Sequence, residues 1–185
     1  PVNRVGVLYQ RLIDLVGEQM RTTFDADIVY VALFDPVSLE ITFPYHAEGG
    51  QRADTEPIQL GSGLTSKILV SREPLLLNRD AQFEEIGTRG IGTPPKSYLG
   101  VPILVGDDAI GVISVQSTRQ EGRFGPEDVR LLTTIAASVG TAIQNARLYR
   151  ESHRHATEMA ALADVGREIS ATLDPTAVLE QIAEH

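Results

Sequence analysis

Cysteine is absent from the 185 residues. That excludes a disulfide frame, a thiolate metal site, a cysteine nucleophile and a thioether-linked chromophore, since each needs the sulfur. Tryptophan is absent too and aromatic residues make up only 5% of the chain, so the core must be aliphatic. Long apolar runs are missing: Tyr98 to Val105 is among the longest and falls far short of the ~20 residues that span a bilayer. No basic segment followed by an apolar run opens the chain, so no signal peptide is read and a cytoplasmic location is expected. Basic residues are also scarce, with 16 Lys and Arg against 25 Asp and Glu and a net charge of −9. Without a basic cluster the chain lacks the footprint that neutralises phosphates, which argues against nucleic acid and direct membrane insertion.

What is present is 42% hydrophobic and 22% charged residues, enough for one domain of ordinary size with something left over. Val5 to Thr23 carries Leu8, Leu12, Leu15, Val16, Gln19 and Met20 near helical spacing, which predicts an amphipathic helix. Asp27 to Asp35 is a β-branched run suited to a central strand. Asp35-Pro36 turns the chain into Leu39 to His46, where Leu39, Ile41, Phe43 and Tyr45 alternate as one strand face. Residues 47 to 63 read as loop with a short extended piece at Pro57 to Leu60. A short helix follows at Leu64 to Ser71 and a short strand at Pro74 to Asn78. Arg79 to Lys96, rich in Gly and Pro, reads as a mobile excursion. Ser97–Val105 and Ala109–Val115 form a hairpin through Gly106-Asp107-Asp108.

The end of the chain changes character. Pro126, Glu127 and Asp128 suit the first turn of a helix, and the helical pattern then continues to about Leu173. Val129, Leu132, Ala136, Val139, Ile143 and Ala146 alternate steps of three and four, the pattern of a packed seam. Up to about Ala146 this face must also cover the sheet. Beyond Tyr149, helix–helix pairing as a coiled coil is expected. Asp174-Pro175 stops the helix and Thr176 to His185 starts another, whose apolar face has nothing to pack on, so the chain is expected to be cut from a longer protein.

Gly61-Ser-Gly-Leu-Thr-Ser-Lys-Ile-Leu, Pro74-Leu-Leu-Leu-Asn-Arg-Asp80, Lys96-Ser-Tyr-Leu-Gly-Val-Pro-Ile103, Ile110-Gly-Val-Ile-Ser-Val115, Phe124-Gly-Pro-Glu-Asp-Val-Arg-Leu-Leu132 and Ile135 to Tyr149 occur in that order. With this element order, the set resembles the GAF family of sensory domains over about Val5 to Tyr149. Leu162 to Ile182 resembles the opening of a second copy. The resemblance implies an α+β fold, an α/β sandwich with a central antiparallel sheet of five or six strands, helices on both faces and a long C-terminal helix. It divides the chain into a GAF-like domain at 1–149, a helical connector at 150–173 and the truncated start of another domain at 174–185. It also implies an output domain downstream, such as a histidine kinase of a two-component system, a cyclase or a phosphatase.

Subfamily chemistry narrows the ligand. Bilin attachment and methionine-sulfoxide reduction both use cysteine. Cyclic-nucleotide binders often carry Asn-Lys after the last strand, then Phe and an Asp-Glu pair, whereas Gln116-Ser117-Thr118, Phe124 and Asp128-Val129 stand here. Haem or metal would rest on His46, His153, His155 and His185, and His153 and His155 point to different faces of a helix. No cofactor is therefore expected. Gly61-Ser62-Gly63 lacks the spacing of a nucleophile elbow and no base is placed beside it, so no catalytic residue is named. By family position, an unknown small molecule would be lined by Ser62, Leu64, Thr65, Asn78, Asp80, Phe83, Ile86, Tyr98, Val101 and Ser114. The expected function is a non-catalytic sensor that relays through its C-terminal helix and dimerises through its terminal helices. The alternative is a ligand-free module for dimerisation and relay.

Overall fold

The computed structural model describes residues 4–87 and 92–172. The expected domain opening at 174–185, the helix end at Leu173, the loop centre at 88–91 and the side chains of Leu8 and His153 lie outside what is described. The residues fall into two compact units, 1–144 and 145–185.

In the first unit the order is α1 (Arg4–Phe24), β1 (Ile28–Asp35), β2 (Glu40–Glu48), β3 (Gln51–Arg52), β4 (Ile58–Gln59), α2 (Leu64–Ser71), β5 (Leu75–Leu77), α3 (Asp80–Ile86), β6 (Ser97–Val105), β7 (Asp108–Ser117) and the start of α4 (Pro126–Thr172). The strands form one antiparallel sheet in the order β3-β2-β1-β7-β6-β5, with β4 also paired to β2. Two of the seven strands, β3 and β4, are only two residues long. The central strands β1, β6 and β7 are buried on both faces, which is why they read as near-continuous apolar runs rather than alternating ones.

Period-two alternation deals their side chains into two layers. Val29, Val31, Leu99, Val101, Ile103, Ile113 and Val115 pack under α1 and the first turns of α4. Tyr30, Ala32, Tyr98 and Val112 pack on the other face with Leu64, Ile68 and Leu69 of α2 and Phe83 of α3. The packed stripe of α1 is Ile13, Val16, Met20 and Phe24; Val16 and Met20 lie where the spacing put them, whereas Gln19 is exposed and Leu15 is 61% exposed. Gly17 sets that rotation. A Cβ there would lie 2.4 Å from the Tyr45 ring, so the helix turns this bare position onto the aromatic.

Part of the stretch expected to be a mobile excursion is helical. In α3, Gln82 Oε1 accepts from the backbone N–H of Asn78 (2.8 Å) and Arg79 (3.1 Å), and Phe83 is buried. The connection from β7 to α4 is held by partly buried polar groups around Asp27. Asp27 Oδ2 accepts from Thr118 N (2.9 Å) and Ser117 Oγ (3.2 Å), and its Oδ1 pairs with Arg119 Nε at 2.7 Å. Burial would raise the Asp27 carboxyl, but the donors from Thr118, Arg119 and Ser117 outweigh it and hold the group below its ordinary value. Asp128 Oδ2 caps α4 by accepting from Gly125 N at 2.8 Å.

Candidate functional site: an uncharged cavity beside a bulged strand

The site begins with a proline in a strand. Between β1 and β2, Val31 faces Tyr45 while Leu33 faces Thr42, so three steps on β2 oppose two on β1. Pro44 has no N–H to complete the ladder, and a bulge absorbs the extra residue there. The Pro44 carbonyl is instead held by Gln10 Nε2 of α1 (2.9 Å) and Arg52 Nη2 (3.1 Å). The bulge reverses the parity of the strand. Ile41 and Phe43 lie on the α2 face, but Tyr45 and Ala47 pass to the α1 face, and His46 comes to line the cavity with Phe43. The expected single face Leu39–Ile41–Phe43–Tyr45 is therefore broken at Pro44, and Leu39 is exposed with positive φ. Tyr45 donates to Glu18 Oε1 of α1 at 2.9 Å, with the Arg52 guanidinium 4.1 Å from its ring centroid. Burial, then the Glu18 carboxylate, pushes its phenol up to about 12.

A cavity of about 120 Å³ lies between this face of the sheet and the start of α2. Its walls are Tyr30 of β1, Phe43 and His46 of β2, Thr55, Ile58 of β4, the segment Gly63-Leu64-Thr65-Ser66, Tyr98 of β6 and Gln116 of β7. Ser66 Oγ accepts from Gly61 N at 3.0 Å and so fixes the glycine-rich turn that delivers α2 to the site. The Tyr30 hydroxyl lies 2.8 Å from both Thr65 Oγ1 and the Tyr98 hydroxyl, joining three elements in one hydrogen-bond chain. Tyr98 reaches this point because Gly100, two residues on and on the same face, leaves room: a Cβ there would lie 2.5 Å from its hydroxyl oxygen. His46 Nδ1 is 2.5 Å from Thr55 Oγ1, and Gln116 donates to Ser114 Oγ at 3.3 Å.

Every titratable wall group is pushed toward its neutral form. Burial raises the phenols of Tyr30 and Tyr98, the latter well above its ordinary value. Burial lowers the His46 imidazole, the Glu48 carboxylate opposes it and Arg52 adds to it. Among the described residues no Asp, Glu, Lys or Arg lines the cavity. Nor does any group of three His, Cys, Asp or Glu among them stand close enough to hold a metal ion.

Of the residues expected to line a ligand site, Leu64, Thr65 and Tyr98 do so. Ser114 sits behind the wall as the acceptor for Gln116. Ser62 is exposed on the turn before α2. Phe83 and Ile86 pack in the same apolar layer without lining the space. Val101 packs on the opposite face with the α1 and α4 layer, because three residues from Tyr98 is an odd step along a strand. Asn78 is a clamp: its Nδ2 donates to the Phe124 carbonyl at 2.7 Å and its Oδ1 accepts from Phe124 N at 3.4 Å, tying β5 to the start of α4. Asp80 is exposed at the head of α3, where its N–H donates to Glu121 Oε1 at 3.4 Å. On α4, Leu132, Ala136 and Val139 are buried against the sheet, with Val129 and Ile143 packed beside them; Ala146, half-buried, falls in the second unit. Unforeseen in the wall are Tyr30, Phe43, His46, Thr55, Ile58, Gly63, Ser66 and Gln116. Strand parity alone would have paired Tyr30 and Gln116 with Tyr98, whereas the bulge hid His46.

The sequence matches the profile described as GAF domain over residues 8–144. The chain belongs to the GAF domain family. This GAF domain is 31% identical over 107 residues to the Nif-specific regulatory protein of Azospirillum brasilense, covering 51% of this chain and 16% of that protein. It is 26% identical over 152 residues to the formate hydrogenlyase transcriptional activator of Escherichia coli, covering 77% of this chain and 22% of the relative. The chain thus spans under a quarter of the length of these regulatory proteins. Among solved structures, the GAF domain of an Acinetobacter phosphoenolpyruvate-protein phosphotransferase superposes with a TM-score of 0.66 at 20% identity, covering 76% of this chain and 84% of that one. The free methionine-R-sulfoxide reductase of Neisseria meningitidis, in complex with its substrate, gives 0.62 at 15% identity, covering 76% and 81%. At these identities the likeness is one of fold, and the fold houses both regulatory modules and an enzyme.

Proposed function

We propose that this GAF domain is a non-catalytic sensor that holds a small molecule in the cavity between Tyr30, His46, Thr65 and Tyr98 and passes its occupancy to an output domain of a longer cytoplasmic signalling protein. The observation that carries the reading is the cavity: polar atoms from five elements converge on one small space. The regulatory relatives support the signalling role. Occupancy would reach α1 through the Pro44 bulge, whose carbonyl and neighbouring Tyr45 are both held by α1 side chains. It would reach α4, which contributes residues to both units, through the Asn78 clamp. A histidine kinase, a cyclase, a phosphatase or, after the regulatory relatives, a transcriptional activator fits such an output. The test is native mass spectrometry of the freshly purified chain, followed by hydrogen exchange with any co-purified compound. Protection of α2 and β2 that extends to α1 and the start of α4 is the expected result. Exchange unchanged by every compound tested would remove the sensing role.

A second reading, dimerisation, is favoured by a separate observation. Between α1 and α4 a groove of about 220 Å³ is lined by Leu12, Val16, Thr134, Ile135, Ser138, Val139 and Ala142, with Leu15 and Leu131 exposed. A second copy of this chain is the proposed occupant, burying apolar surface left open to water. Sedimentation velocity should show a dimer for the chain and a monomer for Leu15→Glu combined with Leu131→Glu.

A further inference from the structure

Charge near the cavity is spent elsewhere. Glu48, two residues past His46, accepts a hydrogen bond from Thr93 Oγ1. Arg52 is bound to Asp14 at 3.1 Å, to the Pro44 carbonyl and over the Tyr45 ring. The wall itself is built of hydroxyls, an imidazole, an amide and apolar side chains. Two of its members are almost wholly enclosed, His46 at 6% and Gln116 at 3% exposure, yet each keeps a polar atom without a partner among the described residues. His46 bonds Thr55 through Nδ1, which leaves Nε2; Gln116 bonds Ser114 through one end of its amide, which leaves the other. Both residues line the cavity, and neither spare atom is sealed off in the packed interior. The Tyr30–Tyr98–Thr65 chain, with Ser114 beside both tyrosine hydroxyls, forms a third polar station.

These stations offer donors and acceptors but no counter-charge. An ion placed among them would exchange its hydration for neutral hydrogen bonds with no counter-charge, whereas a neutral group of the same shape would exchange water for equivalent hydrogen bonds. The volume, about 120 Å³, is well below the roughly 300 Å³ at which sites for drug-sized ligands begin. Resting on the ligand-binding reading above, we propose that the occupant is a small uncharged molecule bearing both a donor and an acceptor, of the amide, lactam or urea type, held between His46, Gln116 and the Tyr30–Tyr98 hydroxyls. The cavity selects by charge: carboxylates and amidinium ions of the same outline are rejected.

Matched probes test this. Acetamide with acetate and acetamidinium, and benzamide with benzoate and benzamidinium, keep shape while changing charge. Each is titrated into the chain at pH 7.5, reading the Leu64 and Ile58 methyl signals and the His46 ring signals by NMR. In at least one size class the amide should bind about tenfold tighter or better than either ion, with shifts centred on those residues. Ions that bind at the same residues as tightly as the amide would overturn the charge rule while leaving a ligand site in place. If no probe of any charge shifts those signals, the ligand-binding reading itself falls and the charge rule with it.

Discussion

At the scale of single residues, His46 gives the sharpest expectation. Its folded value is depressed by burial, so the folded state binds its proton more weakly than the unfolded chain does. As pH falls through the unfolded value of about 6.5 toward the depressed folded one, the unfolded state takes up the proton first, and the stability present above that window is lost. Glu48, Arg52, Tyr30 and Thr55 surround the ring and set how far the window extends. Urea unfolding at pH 8 and pH 5 should therefore show a larger loss for the native chain than for His46→Gln, with the other three histidines common to both. The hydroxyl chain gives a second expectation. Tyr30→Phe breaks two contacts where Tyr98→Phe breaks one, so it should cost about 1–3 kcal/mol against about 1 kcal/mol, and a double-mutant cycle with Thr65→Val should show coupling with Tyr30. A lone histidine in a strand reads as an ordinary surface residue; only the cross-strand register shows that it is enclosed. Leu64, Thr65 and Tyr98 were legible because their sequence strings carry the family's pattern. Asn78 belongs to such a string too, but its partner is the backbone of Phe124, 46 residues away, which no local pattern reveals.

At the scale of elements, the strands and helices were largely legible because each owns a strong period: α2 and β6 fall at the predicted residues, and the expected hairpin turns at Gly106-Asp107 with a positive φ at Gly106. What the period could not give is phase. The stripe of α1 is rotated because Gly17 receives Tyr45, and β2 changes face because Pro44 opens its ladder. Both departures meet at one contact, which makes it a test. Gly17→Ala puts a methyl into the Tyr45 ring and should destabilise the domain by about 1–3 kcal/mol in a denaturant melt, although alanine is the better helix former. Val101→Ala offers the contrast between faces. It should lower stability by about 1–3 kcal/mol through the cavity it leaves under α1 and α4, while the signals of Leu64 and Tyr98 on the other face stay where they are.

At the scale of the whole molecule, the sheet is a partition between two apolar layers with different duties. One layer closes the domain against α1 and α4, and the other leaves room under α2. No helix among the described residues is long and apolar enough to cross a membrane. Because the first compact unit ends at Gln144, a chain stopped there should keep its fold, with a melting temperature within a few degrees of the full chain by circular dichroism. A large drop would mean that residues beyond 144 complete the core.

The bulge at Pro44 has a consequence for how such a site changes. A strand read two residues at a time behaves like a message with a frame, and Pro44 is a frameshift written into it. Upstream the frame sends Phe43 to the cavity; downstream it sends His46 there and hides Tyr45. Closing the bulge with every residue kept would restore the first frame, delivering a phenol to the cavity and an imidazole to the oily layer under α1. Ligand preference in this fold can therefore be rewritten by strand register alone, with every wall-building residue still present in the sequence.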